Sequence, residues 1–256
     1  MAFFALPLVG LVRLASWSTL LTDLGSPEAL DALRLSLICS LGATVLSVAL
    51  GLPLAWTLAR VSFPGKGFVR ALVLLPLVLP PVVGGVALLA AFSRRGLIGG
   101  PLFDATSDGG LLAWLPGGPM QFTFSTTGVI LAETFVALPF FVITVEAALR
   151  SMDQRYEDVA ATLGAGRWLT FRRVTVPLVL PSLVAGAVLA WARALGEFGA
   201  TITFAGNIAG RTQTLPLGVY LLLESRPEVA VALSLVLLAV SLTVIVALRD
   251  RWLERA

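Results

Sequence analysis

The chain has 256 residues, 57% of them hydrophobic and only 13% charged, with a mean hydropathy of +0.94. Soluble domains carry roughly 25% charged residues, so this much apolar surface calls for lipid as its solvent. There is no histidine and Cys39 is the single cysteine, which excludes an intrachain disulfide and a Cys/His metal site.

In chain order, the first predicted element is Ala2–Leu21, a weak candidate span interrupted by Arg13. It lacks the basic region and small-residue cleavage site of a removable signal peptide. A hydrocarbon core about 30 Å thick needs roughly 20 apolar residues as helix. Leu35–Leu58 and Ala71–Phe92 meet that length without a charge. Gly42, Ala43, Ala49 and Gly51 predict close helix packing in the first of these. Pro76, Pro80 and Pro81, with Gly84 and Gly85 beyond, predict a break in the second. Gly128–Leu149 carries Glu133 and Glu146, and Val174–Phe198 carries Arg193 and Glu197, while Val229–Leu248 is uncharged. Glu133 and Glu146 are expected to pair with arginines or to sit near span ends.

Between these runs, segments 93–127 and 199–228 are rich in Gly, Pro, Ser and Thr, which suits loops and partial helices. Leu215–Leu223 reads as a short surface or re-entrant helix. With no internal repeat or low-complexity segment, residues 1–256 form a single membrane domain. It is an all-α polytopic protein of about six transmembrane helices.

Of the 18 basic residues only Lys66 is lysine. The arginines lie between apolar runs, a pattern of membrane orientation and not of nucleic-acid binding. Link 60–70 holds Arg60, Lys66 and Arg70. Link 150–173 holds Arg150, Arg155, Arg167, Arg172 and Arg173, and three more arginines follow Leu248. The positive-inside rule puts these links and both termini in the cytoplasm, and the two long segments outside.

The 150–173 link has structure of its own. Ser151-Met152-Asp153-Gln154 matches a capping box at a helix start. Tyr156, Val159, Ala160 and Leu163 fall at i, i+3, i+4 and i+7, one apolar face. Gly164 and Gly166 are expected to end the helix through a left-handed residue, and Pro177 and Pro181 to sit near the start of the next span. By periodicity alone, such a helix equally suits the lipid headgroup layer.

Asp158-Val159-Ala160-Ala161-Thr162-Leu163-Gly164, then nine residues, then Val174-Thr175-Val176-Pro177 resembles the loop by which ABC-importer permeases dock on their ATPase, E-A-A-x3-G-x9-I-x-L-P. Asp158 stands for the usual Glu, Val159 and Ala160 for the two alanines, Gly164 for the glycine and Pro177 for the proline. The resemblance implies a type I (MetI-like) permease fold. It also implies that Tyr156, Asp158, Val159, Ala160, Ala161, Gly164 and Pro177 serve ATPase coupling in a loop at about 150–173. No G-x-x-x-x-G-K-[ST] occurs in this chain, so ATP and Mg belong to a partner, and the chain has no catalytic site and no cofactor of its own. The implied partners are a second copy of the chain, two copies of a cytoplasmic ATPase, an external oxyanion-binding protein and the bilayer. The implied place is the cytoplasmic (inner) membrane.

Gly196–Thr201, Phe204–Asn207, Gly210–Thr212 and Thr214–Pro216 resemble permeases of the molybdate/sulfate group. Leu79–Gly84 with Arg94-Arg95-Gly96 is more similar to the molybdate branch. Tungstate shares molybdate's charge and nearly its size, so the pair stays unresolved, and sulfate or thiosulfate is the alternative cargo. Arg193 and Glu197 share one helix face at a depth where charges normally face a bundle interior or water. One reading makes Arg193 a stop for a dianion, tempered by Glu197, with Thr201 as a hydroxyl donor. The plainer reading is an intrahelical pair that fixes packing. An ion-coupled secondary transporter is the rival class, and Glu133, Glu146 and Glu197 are the only acids within the spans to serve it.

Overall fold

The computed structural model describes residues 2–107, 109–112 and 118–253. Among them the order is α1 (Ala2–Leu14), α2 (Leu20–Leu24), α3 (Pro27–Arg60), α4 (Lys66–Val78), α5 (Pro81–Phe92), α6 (Gly99–Thr106), α7 (Thr126–Ser151), α8 (Arg155–Thr162) and α9 (Arg167–Thr170). A π-helical turn (Phe171–Thr175), α10 (Val176–Leu195), α11 (Gly199–Ala205), α12 (Leu215–Ser225) and α13 (Pro227–Leu253) complete it.

Among the described residues, four helices are long and apolar enough to cross a membrane: Pro27–Arg60, Thr126–Ser151, the continuous rod Arg167–Leu195, and Pro227–Leu248. A fifth crossing is split into α4 and α5, each only about 20 Å long at about 1.5 Å per residue. The break is proline chemistry. Leu79 (ψ 131°) precedes a proline and so avoids the helical region, and Pro80 (ψ 132°) is extended too. Pro81 then starts α5 at a position where its missing N–H does no harm.

Ala2–Leu21 does not form one span. Its α1 stops at Leu14 and has no buried residue. At about 20 Å it falls short of a 30 Å core. The predicted Val174 start also moves, because the helix begins at Arg167.

α3, α7 and α10 build the main core from Leu58, Phe141, Val145, Leu149, Ala190 and Ala194. Phe141 is wedged between two glycines. A Cβ on Gly51 of α3 would lie 2.6 Å from its ring, and one on Gly186 of α10 would lie 3.3 Å away. Gly42 likewise meets Ile130, and Ala43 is buried, but Ala49 faces outward. A second cluster joins α3 to α12 and α13 through Ala29, Ala32, Leu215, Leu222 and Leu233. In a third, Leu88 of α5 meets Ala132 and Val136 of α7 and Ala200 and Phe204 of α11.

Polar contacts define two ends. Arg60 pairs with Glu157, and Arg70 and Arg150 with Glu146, so the links 60–70 and 150–173 share one end, the arginine-rich end. Glu28 with Arg226, and the Thr126 hydroxyl donating to the Arg211 carbonyl, mark the far end.

Candidate coupling loop and translocation path

At the arginine-rich end α7 continues through Ser151, whose hydroxyl donates to the Ala148 carbonyl. Ser151 therefore closes the previous helix and does not cap the next. The capping acceptor is Asp153, whose Oδ1 takes the Arg155 N–H at 2.9 Å. Gly164 adopts φ 85°. Its N–H donates to Ala161 O, and that of Ala165 to Ala160 O, both at 3.0 Å, the paired bonds of a Schellman stop. Gly166 departs from expectation: at φ −66° and ψ 158° it is extended and precedes α9.

The helix between these stops buries none of its residues. Tyr156 and Val159 are each 57% exposed, and Leu163, just past its end, is 82% exposed. Ala160 is half-buried beside them, and Asp158 and Ala161 are exposed. The short helix thus leaves an apolar face open. Trp168 stacks on Phe171 next to it.

Pro177 sits inside the rod Arg167–Leu195, immediately after the π-helical turn. Its ring collides with the carbonyl four residues back in a regular α-helix. The widened turn lets the Val176 N–H donate to Phe171 O, five residues back. The motif proline thus follows a widened turn in the helix after the loop.

Glu157 is the residue that sequence reading missed. Its Oε1 accepts from the Thr175 hydroxyl at 2.7 Å and from Arg60 Nη2 at 3.4 Å. Glu146 behaves as expected: it is buried and takes both Arg70 and Arg150. Arg150 also donates to the Leu58 carbonyl at 3.2 Å.

Toward the far end, α10 stops at Leu195 and α11 starts at Gly199. Arg193 Nη2 donates to Glu197 Oε2 at 2.6 Å, and Glu197 Oε1 accepts the Ala200 N–H at 2.8 Å. Glu197 is 1% exposed whereas the Arg193 side chain is 28% exposed. The acid is thereby locked into a capping role at the start of α11, while the guanidinium keeps an open side. Thr201 is fully buried in α11, and its hydroxyl has no hydrogen-bond partner. Thr203 bonds back to the Gly199 carbonyl.

The broken crossing meets this corner. A Cβ on Gly199 would lie 2.6 Å from Pro81, and one on Gly85 would lie 2.5 Å from Thr203. Of the two placements expected of Glu133, pairing with an arginine is not seen among the described residues. It lies seven residues from the start of α7, toward the far end, is 1% exposed, and its Oε2 has no partner.

Residues 47–256 match the family model described as binding-protein-dependent transport system inner membrane component. A molybdenum transport system permease protein of Mycobacterium tuberculosis is 47% identical over 249 residues, 97% of this chain and 89% of the relative. A sulfate transport system permease protein of Escherichia coli is 36% identical over 241 residues, 93% of this chain and 82% of the relative. The fold matches that of a bacterial ABC transporter involved in importing alginate. There the TM-score is 0.72 at 19% identity, covering 97% of this chain and 89% of that one. A structure of such a transporter in complex with alginate-bound periplasmic protein gives a TM-score of 0.71 at 18% identity, covering 96% and 87%. By the family match and by these identities, the chain belongs to the inner membrane components of binding-protein-dependent transport systems.

Proposed function

We propose that this chain is the permease of an ATP-driven ABC importer that moves molybdate, or tungstate, inward across the cytoplasmic membrane. The observation that carries the cargo is the 47% identity to a molybdenum transport permease, against 36% to a sulfate permease. The open apolar face of α8 supports the engine: Tyr156, Val159, Ala160 and the Gly164 stop form a surface for a cytoplasmic ATPase, which handles ATP and Mg. With the arginine-rich end inside, both termini are cytoplasmic.

Two copies of the chain form the path on a two-fold axis, since one chain of this size is thin for the wall of a path. ATP-driven closure of two ATPase subunits draws the two α8 helices together and opens the path to an external oxyanion-binding protein. Hydrolysis resets it inward. Arg193, with its open side, is the cation that a passing dianion meets. Glu197 holds that guanidinium in place, and Thr201 stands behind them with a hydroxyl to offer.

The test is uptake by vesicles holding this chain, its ATPase and the binding protein. Molybdate uptake that needs ATP, is stopped by vanadate, and is competed by tungstate far better than by sulfate is the expected result. Preference for sulfate overturns the cargo. Uptake that persists without any ATPase overturns the engine and favours an ion-coupled carrier.

A further inference from the structure

We propose that Glu157 is the positioning residue through which movement of the docking helix reaches the membrane spans. The inference rests on reading α8 as the ATPase-docking helix. No α8 residue is buried, so packing alone holds it loosely. Among the described residues, Glu157 is the one α8 side chain with a polar contact to another element. It reaches two at once: Arg60 in the last turn of α3, and Thr175 at the end of the π-helical turn.

Both contacts are placed to transmit force. Arg60 ends the 34-residue α3, which packs on α7 and α10 through the main core. Thr175 is buried and closes the one turn of the rod Arg167–Leu195 with a widened hydrogen-bond pattern, where a helix bends most readily. A pull on α8 therefore moves the end of one span and the π-helical turn of another through a single carboxylate.

The tie also has room to tighten. Arg60 reaches Glu157 through Nη2 alone, at a long 3.4 Å. Its Nε is buried and has no hydrogen-bond partner. A guanidinium suits two-point binding of a carboxylate. A small approach of α8 toward α3 lets Glu157 take Nε as well as Nη2, so the two arrangements differ by one charge-assisted bond.

The experiment counts ATP hydrolysed per molybdate imported in vesicles holding the complete transporter. Glu157→Ala is expected to raise that ratio about tenfold, with the ATPase still copurifying. Glu157→Gln, which keeps the Thr175 bond and loses the charge, is expected to raise it about threefold. The swap of Arg60→Glu with Glu157→Arg is expected to return the ratio to within about twofold of the parent. A parental ratio in Glu157→Ala with the ATPase bound overturns the proposal; if that variant does not accumulate, a parental ratio in Glu157→Gln overturns it. An ATPase that fails to copurify with the parent chain instead overturns the docking reading, so the two failures are distinct.

Discussion

At the arginine-rich end, Glu146 takes Arg70 and Arg150, and Glu157 takes Arg60 and Thr175, with Arg60 Nε left buried and unpartnered. Toward the far end, Glu133, Thr201, Asn207 and Thr214 each keep a buried oxygen without a partner. The arginine-rich end is held by charges that cross between helices, so movement of one helix is felt by its neighbours. Toward the far end the cross-helix pair Glu28 with Arg226 is half exposed, and the interior is held by apolar contacts and glycine seats, such as Gly85 on Thr203 and Gly199 on Pro81. An unpartnered buried polar atom costs about 1–3 kcal/mol. The half that tolerates several of them has the more to gain from a partner, a water or a cargo. On the proposed reading, the end tied by charges is the one that meets the ATPase, and the less satisfied end is the one that cargo enters.

The largest effect is expected at the docking face itself. Ala160→Glu puts a charge and bulk where an apolar surface is to be received, and transport should fall about 100-fold, equivalent to about 2.7 kcal/mol of lost coupling. The thermal midpoint of the purified chain should hold, since Ala160 lies outside the core clusters. Uptake at the parental rate would leave α8 as a headgroup-layer helix and erase the functional half of the comparison.

Next comes stability. Glu146→Ala leaves Arg70 and Arg150 without their shared carboxylate, and a loss of about 2 kcal/mol is expected from a largely buried acid whose cations are partly exposed. Chain unfolding in detergent measures it as a fall in midpoint. A fall no larger than that of a surface substitution would show that apolar packing holds both ends alike.

At the far corner, Arg193→Ala should lower uptake about tenfold, near 1.4 kcal/mol, while assembly with the ATPase holds. Size-exclusion chromatography with the ATPase separates the two outcomes. Unchanged uptake would make Arg193 and Glu197 a packing device only.

How much of this was legible in the sequence depends on how far apart the partners lie. The four long spans and the break at Leu79–Pro80 follow from local composition and from proline's missing N–H, and the span ends lie within eight residues of where they were expected. The Gly164 stop was legible for the same reason. The Glu157 tie was not, because Arg60 lies 97 positions away and nothing local distinguishes Glu157 from Asp158. The assignment of Ser151 as a cap failed through ambiguity: Ser-Met-Asp-Gln spans the end of one helix and the start of the next, and a capping pattern does not say which it serves. For Glu133 a place toward a span end was legible and the lack of an arginine partner was not, because its neighbours are settled by the packing of α7 against α5 and α11.

The smallest expected effect, that of Glu133→Gln, bears most directly on the contrast between the ends. The amide keeps the shape of the side chain and removes the ionisable group, and in this structure no cation stands to lose a partner. Removing such a group from an apolar interior is neutral or favourable, so the midpoint should stay level or rise, by no more than about 1 kcal/mol of stability. Set beside Glu146→Ala, it places two acids of the same helix, thirteen residues apart, on opposite sides of zero. A fall of several degrees for Glu133→Gln would mean that the assembled transporter supplies Glu133 with a partner, most simply from the second copy of the chain. Repeating the measurement on the complete complex and on the isolated chain then distinguishes a partner within this chain from one across the two-fold axis.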